Sequence, residues 1–599
     1  MQKYNRLNNL LGWLCFLIAA ATYLLTLEPT ASFWDCPEFI SQGYKLEVGH
    51  PPGNPIFMLA ARFFVNFAFG DVTKVALMVN AMSALLSAGT ILLLFWTITH
   101  LVKRLLVADD ATEVSAIEMI LIFGSGLCGA LAYTWSDTFW FSAVEGEVYA
   151  FSAFCTALVF WLILKWESRA SAPHSDKYLI LIAYVIGISI AVHLLNLLCI
   201  PAIGLVIYYR LAKKTTAKGS LITLALAAGV VGVILYGLVP GFIEVAQGFE
   251  LFFVNTLGCS YNVGVLFYAV IAVAVFIWAM VAVYRQKSVM QIRASVAMAI
   301  FFSGIPFIGN SWWIPVVIMA AVLCWLSMAK KLNVRVLNIV VTSILVIFIG
   351  YSSYALLLIR SSANPPMNQN APDNVFDLAS YLNREQYGER PLFYGQTYQS
   401  GVVYEVGPDG QPIPKYNEGE AIYSKEAKVS PDDPDRYRLT GHKKEYVMMP
   451  ELNMLFPRIY SGAHAGAYSD WIGGLQGQPV SATKYVYPDG RTYQSEIRTK
   501  PTMGENLRFF LIYQLNHMYW RYFMWNFAGR QNDLQGNGEV NRGNWISGIP
   551  FIDNPRLGDQ SLLPYDEGKG NPGHNVFYML PLIMGLLGLG WQAVASKRG

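Results

Sequence analysis

Residues 9–27 read NLLGWLCFLIAAATYLLTL, a run without one charged side chain. About 20 apolar residues cross the hydrocarbon layer as a helix, so this run predicts a transmembrane span. The chain then changes character at once. Residues 28–57, EPTASFWDCPEFISQGYKLEVGHPPGNPIF, carry Asp35, Glu38, Glu47 and His50 among tryptophan, prolines and glycines. An apolar span followed by such a loop predicts a helical bundle with its polar chemistry on a rim and not inside.

Working outward, comparable runs occur at 75–100, 117–135, 148–164, 178–193, 196–209, 219–240, 262–284, 294–309, 312–328, 335–359 and 575–595. The expectation is a polytopic α-helical membrane protein of about 12 transmembrane helices. The runs at 178–193 and 196–209 are short and parted only by HLLN, which predicts tilted or broken helices. Composition agrees: of 599 residues 54% are hydrophobic and only 14% charged, and the mean hydropathy is +0.37. The stretch 56–70, with Arg62 inside it, is too short to cross and predicts a re-entrant or interfacial helix.

The first span lacks a small-residue cleavage pattern and reads as an uncleaved helix with a cytoplasmic N-terminus. Loop charge sets the orientation of the rest. Lys3, Arg6, Lys103, Arg104, Lys165, Arg169, Lys213, Lys214, Lys330, Lys331, Lys597 and Arg598 fall on one side; the opposite short loops hold little beyond Lys45, Arg62 and Lys74. Segments 28–74, 136–147, 241–261 and 360–574 are therefore expected on the non-cytoplasmic face. The net charge of +3 follows from that topology and gives no reason to expect nucleic acid. Seven cysteines, mostly inside predicted spans, indicate neither a disulfide framework nor a zinc site.

From 361 to 574 the hydrophobic runs stop and Pro, Gly, Asn, Asp and Tyr rise. This predicts three parts: a transmembrane domain over 1–360 with the first outer loop 28–74, a mixed α+β domain over 361–574 inserted before the last helix, and a final span with its tail over 575–599. Within the insert, GPDGQP and YVYPDGRTYQ are hairpin signals, and 373–386 predicts a helix. The stretch ENLRFFLIYQLNHMYWRYFMWNFAGR (505–530) carries Arg508, His517 and Arg521 and predicts an amphipathic helix on the membrane surface.

Charges are nearly absent from span interiors, which lowers a coupled-transporter reading, although a transporter or envelope scaffold stays open as the non-enzymatic alternative. The acids gather elsewhere. Asp35 and Glu38 follow the first span; Glu145 and Glu147 lie in TWSDTFWFSAVEGEVYAF before the fourth; His193 and Asn196 form the turn AVHLLNLL. All fall at one depth on one side. Each has a plainer alternative: Asp35 as a helix cap ahead of Pro37, Glu145 and Glu147 as solvated loop acids, His193 as an interfacial histidine.

The stretches FWDCPEF, GHPPGNPIF, FWFSAVEGEVYAF, HLLNLLCIP, NPPMNQNAPDN, YLNREQYGERPLFYG and MYWRYFMWNFAGRQND resemble a bacterial membrane family related to the eukaryotic transmembrane protein O-mannosyltransferases. More broadly they are similar to the GT-C superfamily, whose members take sugars from polyprenyl-phosphate carriers. The resemblance implies a GT-C-like fold in a bacterial inner membrane, with the active site and large domain facing the periplasm. It implies transfer of a sugar such as mannose from a polyprenyl-phosphate donor to a hydroxyl of an exported protein or, alternatively, of a lipid or envelope glycan. Asp35 stands where such enzymes carry the key acid of the first outer loop, so it is the expected general base, with Glu38 in reserve one turn on. Glu145, Glu147, Tyr149, His50 and Asn196 are expected around the sugar and acceptor. Arg62, His193 and Arg360 are expected at the donor phosphate. The acids leave room for a divalent metal, but no ligand spacing demands one.

Overall fold

The computed structural model describes residues 1–108, 111–309, 311–328, 332–388, 390–407, 409–487 and 489–595. Lys330, Lys331, Lys597 and Arg598 of the charge argument lie outside the described residues, as do Pro408 and Pro488 of the two hairpin signals. Among the described residues eight helices are long and apolar enough to cross a membrane: Gln2–Leu25, Val72–Leu106, Ala116–Thr134, Val148–Arg169, Leu194–Leu211, Ala217–Thr256, Val263–Tyr284 and Val334–Ser362. The other four expected spans are helices of 14 to 16 residues: Asp176–Ile190, Val289–Phe302, Trp313–Met328 and Leu580–Ala595. At about 1.5 Å per residue each is only some 21–24 Å long, short of the ~30 Å layer.

The chain divides into two compact units, Met1–Gln386 with Tyr423–Leu439, and Tyr387–Ile422 with Thr440–Gly599. Position 360, where the composition changes, lies inside the first. In that unit Val72–Leu106 is the central helix, 67% of its apolar window being buried, and it packs against Gln2–Leu25, Ala116–Thr134 and Val148–Arg169. Its small residues Ala84, Ser87, Ala88 and Gly89 are all buried, letting neighbouring backbones approach. The short helix Asp176–Ile190 is held by the same device. A Cβ on Gly350 would lie 2.3 Å from the Gly187 carbonyl carbon, so these two glycines let it lie flush on Val334–Tyr351. The expected break at HLLN is present: Asp176–Ile190 ends, and a 3₁₀ turn, Leu194–Leu198, starts the next helix.

Two expectations need correction. The segment 241–261 is no outer loop for most of its length, because the helix from Ala217 runs on to Thr256. Pro240 should have stopped it, but a π stretch at Val233–Leu238 immediately before it absorbs the missing N–H. The helix expected over 373–386 spans only Val375–Leu382: the Asn374 side chain caps it by accepting from the amides of Phe376 and Asp377 at 2.9 and 3.1 Å, and Arg384 at φ +57° turns the chain away.

The second unit is mixed α+β. Its four-stranded sheet runs Pro412–Pro414, Tyr404–Val406, Gln478–Val486, Thr492–Lys500, antiparallel except for the central parallel pair. Both expected hairpins are there, their turns taken by Gly410 and Gly490 at φ +78° and +81°. The aromatic stretch near 505–530 is one continuous helix from Met503 to Phe527, opened by a Thr502/Glu505 capping box and containing an eleven-residue π segment. The paired strands Tyr416–Lys425 and Tyr437–Tyr446 carry a tip, Tyr423–Leu439, that belongs to the first unit. There Tyr437 donates to the buried Glu250 at 3.1 Å, and Asn255 pairs with the Tyr437 backbone through two 2.8 Å bonds.

Candidate active site

The loop after the first helix is a built structure. Helix Cys36–Lys45 buries Phe39 and Ile40 against Phe57, Ala61 and Val65 of helix Pro55–Val65, and the turn between them is clamped by residues more than 300 positions away. The Val48 amide donates to the Met367 carbonyl at 3.0 Å and its carbonyl accepts from the Gln369 amide at 3.1 Å. Tyr381 donates from its hydroxyl to the Gly49 and His50 carbonyls at 2.5 and 3.1 Å. GHPPGNPIF, NPPMNQNAPDN and Tyr381, scattered in sequence, are thus one assembly. Backbone groups in such a turn have no helix or sheet to satisfy them, so the chain supplies side chains and an isolated parallel bridge, Val48 to Asn368.

Glu38 ties the assembly together. Its Oε1 accepts from the His50 amide at 2.6 Å, from His50 Nδ1 at 2.8 Å and from Gln42 at 3.0 Å; its Oε2 accepts from Gln369 at 3.2 Å. Burial opposes its charge, but the bonds from His50 and Gln369 outweigh it and hold the carboxyl below the usual carboxylate range. The His50 ring rises above the ordinary imidazole value through its bond to Glu38, against the cost of burial. A carboxylate so fully engaged serves as a brace.

Asp35 stands apart. It is the N-cap residue of helix Cys36–Lys45, but its side chain makes no cap hydrogen bond and is exposed. Capping therefore does not account for it. Beside it Glu145 and Glu147 are each 7% exposed, so they are no solvated loop acids. Glu147 Oε2 accepts from the Val148 amide at 3.2 Å, and the Cys36 thiol lies 3.9 Å from its Oε1. Burial, reinforced by Glu145 and Asp35, pushes the Glu147 carboxyl up to about 7, and burial raises Glu145 too. One exposed carboxylate beside two buried, reluctantly charged acids sets this cluster apart. Among the described residues no three His, Cys, Asp or Glu side chains converge as ligands of one metal ion.

Tyr149 is exposed, its ring 5.5 Å from that of His193. His193 Nδ1 accepts from the Leu195 amide at 3.2 Å, which leaves Nε2 to carry the proton, and burial, then the charge of Arg384, lowers its pKa. Asn196 is buried; its Oδ1 accepts from the Thr156 hydroxyl at 3.5 Å and its Nδ2 has no hydrogen-bond partner among the described residues. The two expected arginines are engaged elsewhere. Arg62 donates to the Tyr44 carbonyl at 2.6 Å, and Arg360 to Leu46 and Lys45 carbonyls at 2.8 and 3.3 Å, so both satisfy the C-terminal end of helix Cys36–Lys45. The cation whose field reaches both His50 and His193 is Arg384. Sequence reasoning misses it, along with Gln369 and Tyr381, although all three lie in amide-rich stretches that no span or hairpin explains.

The raised value of Glu147 gives a direct check. Its folded-state pKa exceeds the unfolded one, so stability falls as pH rises through the carboxylate range and the loss is complete above about 7. Glu147→Gln is expected to raise stability by about 1–3 kcal/mol at alkaline pH and to have little effect below the ordinary carboxylate value of 4.5, read as unfolding midpoints of the detergent-solubilised protein.

Comparison with known proteins follows this geometry. Residues 35–217 match the family described as the protein O-mannosyl-transferase TMEM260 N-terminal domain, and residues 388–511 match a family of unknown function, DUF8416. A mouse protein O-mannosyl-transferase TMEM260 is 28% identical over 218 residues, 36% of this chain and 28% of the mouse protein. The Dictyostelium discoideum protein O-mannosyl-transferase tmem260 is 23% identical over 189 residues, 31% of this chain and 21% of that relative. The matches thus span less than a third of either relative's length. No solved structure matches. The matched segment opens on Asp35 itself and contains Glu38, His50, Glu145, Glu147, His193 and Asn196, so the resemblance read from FWDCPEF and GHPPGNPIF holds where the site lies: over residues 35–217 the chain is similar to the N-terminal domain of the TMEM260 protein O-mannosyl-transferases.

Proposed function

We propose that the protein is a GT-C-type glycosyltransferase that moves a sugar, mannose in the first instance, from a polyprenyl-phosphate donor to a Ser or Thr hydroxyl of an exported protein. The observation that carries this is the exposed, uncapped Asp35 carboxylate beside two buried acids, in a segment similar to proteins named O-mannosyl-transferases. Asp35 takes the proton of the acceptor hydroxyl; its oxygen attacks the anomeric carbon with inversion; the bond from that carbon to phosphate oxygen breaks and polyprenyl phosphate leaves. His50 and Arg384 offset the charge of the leaving phosphate, and His193, held neutral, donates to it from Nε2. Glu145, Glu147 and Tyr149 contact sugar or acceptor, and Arg62 and Arg360 keep the helix that bears Asp35 in place. The site lies on the face away from the Lys- and Arg-rich loops, the periplasmic face of a bacterial inner membrane.

The test offers purified protein a panel of radiolabelled polyprenyl-phosphate sugars with Ser/Thr peptides or with envelope lipid and glycan as acceptors. Label in peptide from a mannosyl donor is expected. Label only in lipid or glycan would replace the acceptor, and no transfer from any donor would end the enzymatic reading.

A further inference from the structure

At the other end of the helices that carry the site lies a cavity of about 250 Å³. It is enclosed by the first turns of Gln2–Leu25 and the last turns of Val72–Leu106 and Val148–Arg169, with Asn8, Trp96, His100, Lys103, Trp161 and Lys165 in its lining. From Glu147 to Lys165 the helix advances some 27 Å at about 1.5 Å per residue, so this cavity is separate from the Asp35 loop.

Its walls combine three chemistries. The Trp96 and Trp161 rings lie 5.7 Å apart, an aromatic floor of the kind that suits the depth of lipid headgroups. The Lys103 and Lys165 ammonium groups sit over the Tyr4 and Trp161 rings at 4.9 and 5.0 Å, and among the described residues neither has a carboxylate partner. The nearby Glu167 is taken by Arg104. Finally, among the described residues Asn8 Oδ1 and His100 Nε2, both in the lining, are buried without a hydrogen-bond partner, His100 Nε2 having only Glu167 Oε2 at 4.0 Å behind it; this is costly unless something fills the cavity and bonds to them. The occupant must bring negative charge for two lysines and hydroxyl groups that bond Asn8 Oδ1 and His100 Nε2.

We propose that this cavity binds the headgroup of an anionic, hydroxyl-bearing phospholipid, its phosphate between Lys103 and Lys165 and its hydroxyls on Asn8 Oδ1 and His100 Nε2. A basic pocket between helix ends at the Lys/Arg-rich side of a bundle is where such lipids are recognised. The lipid seals the junction of three helices whose far ends hold the acids.

Native mass spectrometry of the full-length protein, with phosphatidylglycerol and phosphatidylcholine supplied in equal amounts, tests this. Phosphatidylglycerol should be retained roughly tenfold better, and Lys103→Gln with Lys165→Gln should erase the preference. Lys165→Arg should keep it, as should Lys3→Gln, which changes a charge at the same helix end outside the cavity. Unfolding midpoints report whether the double variant folds; if it does not, Asn8→Asp, which sets a negative charge inside the cavity, should expel the lipid instead. Equal retention of both lipids, or a folded double variant that keeps phosphatidylglycerol, overturns the proposal. So does its complete displacement by millimolar inorganic phosphate, which would make the occupant a free anion.

Discussion

Exchanging Asp35 for asparagine is expected to lower the rate of sugar transfer by a factor of roughly 10²–10⁴ while donor binding stays within about threefold of wild type. Asparagine keeps the size of the side chain and loses only the ability to take a proton. Since the carboxylate makes no cap hydrogen bond, helix Cys36–Lys45 loses nothing structural, and unfolding midpoints should not move. That separates Asp35 from its neighbours. Changing Glu38 would unfasten the loop, and changing Glu147 would alter a buried acid, so a loss of rate in either would mix structure with chemistry. Turnover by the Asp35→Asn variant comparable to wild type would remove Asp35 as the base. Glu147, with a carboxyl already near 7, would then be the better-tuned candidate.

How much of this is legible in the sequence depends on the physics behind each feature. Membrane-length runs announce themselves because hydrocarbon tolerates nothing else, and the HLLN break is visible because two runs are each too short. The α+β character of the second unit follows from composition and the Asp-Gly turns. What cannot be read is long-range pairing. Nothing local in NPPMNQNAPDN says that Met367 and Gln369 bridge to Val48, or that Tyr381 closes on Gly49. Arg62 and Arg360 show the same limit: a guanidinium near a polar loop reads as a phosphate ligand, and its bonds to carbonyls at the end of a short helix are seen only in the structure. The continuation of the helix past Pro240 is hidden because a π stretch can absorb a proline, and no periodicity signals it.

The second large effect concerns that pairing. Glu38→Ala is expected to cost about 2–4 kcal/mol, because it strands the His50 amide, the His50 ring, Gln42 and Gln369 together; the lower half is the better guide, as the Glu38 and His50 side chains keep 19% and 28% exposure. The sign of the pH dependence follows from both partners. Glu38 is depressed, so its contribution is present above its unfolded value and fades as pH falls through the folded one. His50 is raised, so its contribution is complete below the ordinary imidazole value and fades as pH rises through the folded one. The brace is strongest between the carboxylate and imidazole ranges and slackens on the alkaline side, where Asp35 and Arg384, the other charges acting on His50, pull in opposite directions. Wild type should therefore lose unfolding midpoint from mild acid to mild alkali, and Glu38→Gln, which keeps the shape but not the charge, should flatten that decline. The same midpoints measured for Glu38→Ala and wild type decide the matter: coincident curves would mean that the His50 turn is held by Tyr381 and the Val48 bridge alone, with the carboxylate a bystander.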